Sequence, residues 1–324
     1  MLYPDPVSVA AMNADIGQRL NIALAHLIGD VLGQDWPGDL LYPPATAFAL
    51  QGLMRAAAVA GDSGTIHQLY TDHGHLLRDA DPGPRCQVVT FDTLSFDASA
   101  RLVLQAGFSD DIGLTENLIA PDPADSRAAT AEIDALRLLL AADLPLWWAE
   151  LQALLGKIIL ATTAETGKGF AGASAFDVWG AILINPGYRS DRLHLALTLV
   201  HESSHLKLFY AYLDDEIVLN PPDQVFSSPL RRQPRPMNGI YHAAFVLARM
   251  ALFIADIGRA TAGARLFGDG ANRALQDELA QTISSFDSAY AIIREQGVLT
   301  EKGQHIIAEA VARVDDCRAL PWPT

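Results

Sequence analysis

One segment near the middle of the chain constrains the fold more than any other. Residues 193–213 follow helical spacing and carry apolar side chains on nearly every side of the helix. These apolar residues stand before and after a short polar stretch: Leu195, Leu197, Val200, Leu206, Leu208 and Phe209. A helix without a polar face has to be buried on all sides. The polar stretch within this segment is His201-Glu202-Ser203-Ser204-His205, so these residues are expected to be buried together with the helix.

The buried pentapeptide has the spacing of a metal site. His201 and His205 are four residues apart, so both imidazoles lie on the same helix face about one turn apart, with Glu202 beside them. Burying two histidines and a glutamate costs several kcal/mol unless they are paired or bound to a cation. The alternative is a structural cluster held by hydrogen bonds. We predict a metal site with His201 and His205 as ligands.

Composition excludes several other classes of protein. The chain has 324 residues, half of them hydrophobic, which is enough for one large domain or two close lobes. A net charge of −15 with 23 Lys and Arg residues argues against a nucleic-acid partner, which needs a clustered basic surface. Cys86 and Cys317 have no disulfide or zinc-ribbon spacing. With neither a signal peptide nor a membrane span recognisable, a cytoplasmic location is predicted.

Periodicity predicts a mainly α-helical fold with a small β element (α+β) and a helical metal-binding core. The runs CQVVTF and RLVLQAGF, within residues 86–108, suggest a β-hairpin, and residues 178–186 suggest a buried strand. The loop at residues 120–126 divides a predicted N-terminal helical lobe with the hairpin (1–125) from a metal-binding catalytic lobe (126–324). Helices are predicted at about 8–32, 45–60, 64–79, 131–155 (with a new helix beginning at Pro145), 193–213, 238–262, 271–296 and 300–318.

The third metal ligand is less constrained than the first two. Peptidases of the metzincin type extend the motif to HExxHxxGxxH, but Leu208 and Ala211 stand at the Gly and final His positions. The gluzincin pattern needs a downstream helical Glu, for which Glu278 is the candidate. We prefer His242, 37 residues after His205 on the otherwise apolar stretch GIYHAAFVLARMALF; the alternative for a lone histidine on such a helix is a hydrogen-bonded core residue. Glu216 and Asp223 are reserve carboxylate candidates.

Three ordered motifs resemble a known family. LTLVHESSHLKLFYAYLD, SSPLRRQPRP and NGIYHAAFVLARM are similar to the LVHExxHxKL segment, the PWRxDPRP-like loop and the GxxHGxxA-like helix of HExxH peptide-modification proteins, which accompany ribosomally made peptide natural products. The resemblance covers about residues 169–253. Leu230 and Gln233 depart from the pattern, at the positions of the family's Trp and acidic residue.

The resemblance implies an Fe(II)- and 2-oxoglutarate-dependent oxygenase that hydroxylates a β-carbon in a precursor peptide. It implies His201, His205 and His242 as iron ligands, which leaves coordination positions for the 2-oxo acid and O2. A forked guanidinium suits the distal carboxylate of 2-oxoglutarate, so Arg235 is the first candidate and Arg231 the second. The oligomeric state is not indicated by the sequence.

Two other functions remain open at this stage. Zinc suits the same ligands, and in a zinc metallopeptidase Glu202 would be the general base that activates metal-bound water. In the oxygenase, Glu202 would instead orient a histidine ligand. A peptide-binding scaffold with a structural metal is the non-enzymatic alternative.

Overall fold

The computed structural model describes residues 1–36, 38, 44–77, 85–108, 118–164, 169–188, 191–227, 233–260, 262–268 and 270–321. The chain forms two compact units. The helical unit comprises Met1–Asp5, Asp134–Ala149 and Arg192–Thr324, and the sheet unit comprises Pro6–Ile133 and Glu150–Asp191. This division differs from the predicted boundary at residue 125, because the chain passes from one unit to the other several times.

Helices account for most of the described structure. The α-helices are α1 (Pro6–His26), α2 (Ala45–Val59), α3 (Ser63–His73), α4 (Ala98–Gly107), α5 (Pro123–Asp143), α6 (Pro145–Leu154), α7 (Arg192–Ala211), α8 (Met237–Arg259), α9 (Gly263–Phe267), α10 (Ala271–Gln296) and α11 (Glu301–Arg318). A π-helical turn (Leu27–Val31) follows α1, and short 3-10 helices lie at Gly74–Leu77 and Phe176–Val178. The prediction of a mainly α protein with small β elements is confirmed.

The strands of the sheet unit form one mixed sheet and one short ladder. The strands are β1 (Gln87–Thr90), β2 (Leu118–Ile119), β3 (Lys157–Leu160), β4 (Thr162–Thr163), β5 (Gly172–Ala173) and β6 (Ala181–Ile184). The larger sheet has the order β1-β3-β6-β5, with β1, β3 and β6 parallel and β5 antiparallel to β6. The four residues of β6 are all buried, as expected for an apolar central strand. The predicted strand at 178–186 is therefore confirmed, in shorter form.

The predicted hairpin within residues 86–108 is wrong. β1 pairs in parallel with β3, whose residues lie 70 positions further along the chain, as in Gln87↔Lys157. The second run, RLVLQAGF, belongs to α4 instead. Asp97 begins this helix because its side chain accepts a hydrogen bond from the Ala100 N–H, which satisfies a backbone donor at the helix start. Local β-propensity was therefore overridden by an N-cap.

The helical unit is organised around α8, which packs against α7, α10 and α11. Most of its residues are buried, among them Phe245, Phe253 and Ile257. Among the described helices, α8 has the length and apolarity to cross a membrane, yet 78% of its most apolar window is buried within the protein. The same composition is typical of a central core helix. The remaining strands, β7 (Val225–Phe226) and β8 (Arg235–Pro236), form an antiparallel pair directly before α8.

Candidate metal centre

Helix α7 brings together three side chains that can bind a metal ion. One ligand atom from each of His201, Glu202 and His205 lies within 4.8 Å of the others, and among the described residues this is the one such group. The two histidine Nε2 atoms are 3.3 Å apart. Glu202 is buried, with 6% of its surface exposed, and both histidines are half-buried. The predicted apolar helix is therefore observed with both imidazoles on one face, but Glu202 is buried whereas the two histidines are not fully so.

The separation of the two Nε2 atoms fits a shared metal ion. Metal–imidazole bonds of about 2.0–2.1 Å at a tetrahedral angle hold two nitrogens roughly 3.3 Å apart. The observed 3.3 Å between His201 and His205 matches this value. Imidazole nitrogen is a good ligand for both Fe(II) and Zn(II), so the donor set fits either ion. His201 and His205 are therefore suitable for holding such a metal, with Glu202 beside them.

His242, on α8, is not a member of that group of three, but it contacts the other ring nitrogen of His205. Its Nδ1 lies 3.4 Å from Nδ1 of His205, and the two rings are stacked with centroids 5.6 Å apart. His205 thus has one ring nitrogen facing His201 and the other facing His242. Burial lowers the pKa of His242 to about 4, so its imidazole is neutral at physiological pH and has a lone pair to offer. Its role as the third ligand stays a prediction.

Aromatic rings enclose His242 on the side of α7. The ring centroids of Phe209 and Tyr212 lie 5.5 and 5.2 Å from that of His242. The Tyr212 hydroxyl donates a hydrogen bond of 2.6 Å to Oδ1 of Asn238, one turn before His242 on α8. Burial is the main cause that raises the pKa of Tyr212 far above its usual value, so the phenol stays protonated. Sequence reasoning missed Phe209 and Tyr212 as neighbours of His242, because their contact depends on how α7 and α8 pack.

Arg235 lies on β8, immediately before α8, and is half-buried. Cδ of Arg235 lies 3.5 Å from the position that a Cβ atom would take at Gly239. The aliphatic part of the Arg235 side chain therefore runs along the first turn of α8. Gly239 precedes His242 by three residues, so both belong to one helix face. The second predicted candidate, Arg231, lies outside the described residues. The reserve carboxylates Glu216, Asp223 and Glu278 do not join the metal-binding group.

Sequence reasoning also missed a buried cation on α8. The Arg249 side chain is fully buried and donates through Nε to Oγ of Ser204, at 2.8 Å. Arg249 follows His242 by seven residues, or about two helical turns, which was the available signal that both lie on one face.

Comparison with known proteins does not add a family. No protein-family model matches this chain, and no curated protein matches it either.

Proposed function

We propose that this protein is an Fe(II)- and 2-oxoglutarate-dependent oxygenase that hydroxylates a β-carbon of a residue in a ribosomally made precursor peptide. The observation that supports it best is the set of three neighbouring, half-buried imidazoles, His201, His205 and His242, on the packed helices α7 and α8. The motifs that resemble the HExxH peptide-modification family point to the same chemistry. We also propose a cytoplasmic location, as the reducing compartment suited to an Fe(II) site.

The imidazoles are suited to hold iron while leaving coordination positions for other molecules. Neutral nitrogen donors bind Fe(II), and a set of two or three protein ligands leaves positions for a bidentate 2-oxo acid and O2. In that chemistry one oxygen atom of O2 enters a C–H bond of the peptide and the other enters succinate, which forms with CO2 as 2-oxoglutarate is oxidised. The low pKa of His242 supports this role, because an unprotonated imidazole is needed for coordination.

Arg235 is suited to hold the distal carboxylate of 2-oxoglutarate. Its stem packs on Gly239 in the first turn of α8, on the face that carries His242 one turn later. A guanidinium binds a carboxylate with two parallel hydrogen bonds, and the nearby helix start adds partial positive charge. Arg231 remains the second candidate for this role.

The deciding experiment measures succinate after 2-oxoglutarate and O2 are added to anaerobically purified, Fe(II)-loaded protein. Succinate formation is expected from the wild type, even slowly without a peptide, and should be absent from His201→Ala. Arg235→Ala should raise the KM for 2-oxoglutarate by at least about tenfold, since a charged hydrogen-bonded pair is lost. Arg259→Ala, at the far end of α8, is the matched control. Normal 2-oxoglutarate kinetics in Arg235→Ala would remove the role proposed for that residue.

A zinc metallopeptidase is the second candidate, and the position of Glu202 favours it. A buried carboxylate whose oxygen lies within 4.8 Å of both motif histidine nitrogens can take a proton from metal-bound water. Glu202→Gln keeps the shape but removes the base, so it should abolish peptide cleavage while Zn(II) remains bound. In an oxygenase the same variant should keep measurable succinate formation. Cleavage of peptides by the zinc-loaded wild type, without succinate from the iron-loaded form, would favour the peptidase.

A further inference from the structure

We propose that Arg249 is a positioning residue for the metal centre, and that it acts by joining α7 to α8 through Ser204. This inference rests on the metal site proposed above. It names a residue that carries no metal-ligand chemistry and that lies two helical turns from His242.

The contacts of Arg249 lie in the interior of the helical unit. Its Nε donates to Oγ of Ser204, and one terminal nitrogen, Nη1, donates to the carbonyl oxygens of Met1 and Leu2 at 3.2 and 2.7 Å. Its Cζ atom also lies 5.0 Å from the centre of the Trp147 ring. A guanidinium with this many directed contacts has one orientation, because its donors form a rigid planar fork.

Ser204 transmits that orientation to the motif. It is fully buried and is the residue directly before His205. Its hydroxyl donates to the Val200 carbonyl, at 2.5 Å, while it accepts from Arg249. A hydroxyl that both donates and accepts holds its rotamer, and so ties the α7 backbone at Val200 to the α8 side chain.

Two contacts therefore join the same pair of helices. One is Ser204 with Arg249, and the other is His205 with His242. The α8 partners are seven residues apart, or about 10 Å along the helix axis. The two points together fix both the rotation and the sliding of α8 against α7. The Arg249 contact thus supports the position of His242 in addition to its own ring contacts and the Tyr212–Asn238 hydrogen bond.

The neighbouring serine provides a matched control. Ser203 is also buried in the motif, and its hydroxyl donates to the same Val200 carbonyl, at 3.1 Å. Ser203→Ala and Ser204→Ala therefore remove the same atom and a similar bond within the helix. They differ in the contact with Arg249, which Ser204 makes.

The test measures Co(II) binding to the metal-free full-length protein, by its visible absorption and by competition with a chelator. We expect Ser204→Ala to weaken Co(II) binding by about tenfold and to alter the absorption bands, as for residues that orient a metal ligand. Ser203→Ala should bind like the wild type. Arg249→Met should match or exceed the effect of Ser204→Ala. If Arg249→Met does not fold, the serine pair alone decides the result.

A second measurement separates positioning from a general loss of stability. In a His242→Ala background, Ser204→Ala should no longer change the Co(II) affinity or spectrum, because the histidine that it positions is absent. Equal Co(II) binding by the two serine variants, or an undiminished Ser204→Ala effect in that background, would overturn the positioning role while leaving the metal site intact. Failure of the wild type to bind Co(II) would instead overturn the metal site and this inference with it.

Discussion

Two groups of histidines in this protein have different partners. His201, His205 and His242 are half-buried in the helical unit and face one another, with N–N separations of 3.3 and 3.4 Å. In the sheet unit, His75 and His73 have other partners. Nε2 of His75 lies 3.1 Å from a carboxylate oxygen of Asp97, with about half of each side chain exposed, and Nδ1 of His73 lies 2.9 Å from Oγ of Ser99.

The chemical role of two closely spaced histidines depends on the secondary structure that carries them and on how far they are buried. His201 and His205 are one turn apart on a helix whose other faces are buried, so their rings converge. His73 ends α3 and His75 lies in the following 3-10 helix, so their rings diverge to separate partners. His75 is exposed to water and His73 is bonded to Ser99, whereas the half-buried rings of the first group turn their nitrogens toward one another, where a cation can bind them.

The largest expected contrast between the two groups is in metal affinity. His205→Ala should weaken Co(II) or Zn(II) binding by more than about 100-fold, because loss of a ligand exceeds the loss of a residue that orients one. His75→Ala should leave the affinity unchanged, since His75 belongs to the other group. Isothermal titration of the metal-free proteins measures both values. Similar losses of metal affinity in the two variants would mean that the two groups of histidines do not differ in metal binding.

The next contrast concerns pH. The pKa of His242 is about 4 in the folded protein and 6.5 when unperturbed, so between these values the unfolded chain binds a proton that the folded chain does not. The free energy of unfolding of the metal-free protein should therefore fall as pH is lowered from 6.5 to 4. The share due to His242 is at most about 3 kcal/mol. Urea unfolding at several pH values measures it.

The control for this pH effect is His242→Gln, which cannot take up a proton. Its unfolding free energy should depend less steeply on pH in the same window than that of the wild type. Identical slopes would contradict the assigned cause, because another group would then carry the proton uptake.

The smallest effect is expected at the exposed contact of Asp97 with His75. Asp97 begins α4 and also contacts His75, and the Ala100 N–H is the main cause that lowers its pKa. Asp97→Ala should cost about 1 kcal/mol of stability through loss of the cap, whereas Asp97→Asn should cost less than about 0.5 kcal/mol, because asparagine caps well and exposed ion pairs contribute little. Thermal unfolding of both variants provides the test. A loss in Asp97→Asn as large as in Asp97→Ala would mean that the ion pair dominates.

The parts of the fold that were predictable from sequence are those set by local spacing. α10 and α11 agree with the predicted helices to within a residue, because their apolar residues recur with helical period and Thr300 caps α11. β1 shows the limit: its apolar run was recognised, but its partner β3 lies 70 residues away and no local signal names it. The mistaken hairpin came from pairing that run with its nearest neighbour.

The candidate site divides in the same way. The neighbourhood of His201, Glu202 and His205 follows from positions on one helix, so the sequence was sufficient to predict it. That His242 faces Nδ1 of His205, whose Nε2 faces His201, depends on the rotation of α8 against α7. The Arg249 contact with Ser204 depends on that rotation as well. Such contacts depend on how the helices pack against each other in the folded protein. Residue spacing predicts only which face of its own helix a side chain lies on.

The discontinuous course of the chain has a consequence for synthesis on the ribosome. The last strand of the larger sheet, β6, ends at Ile184, so all four of its strands have been translated before His201. The helical unit, in contrast, needs its first residues, Met1–Asp5, and also α8, which ends at Arg259. Domains that are complete first generally fold first. We therefore expect the sheet to form during translation, and the nascent chain to become able to retain a metal ion only after α8 has been translated as well.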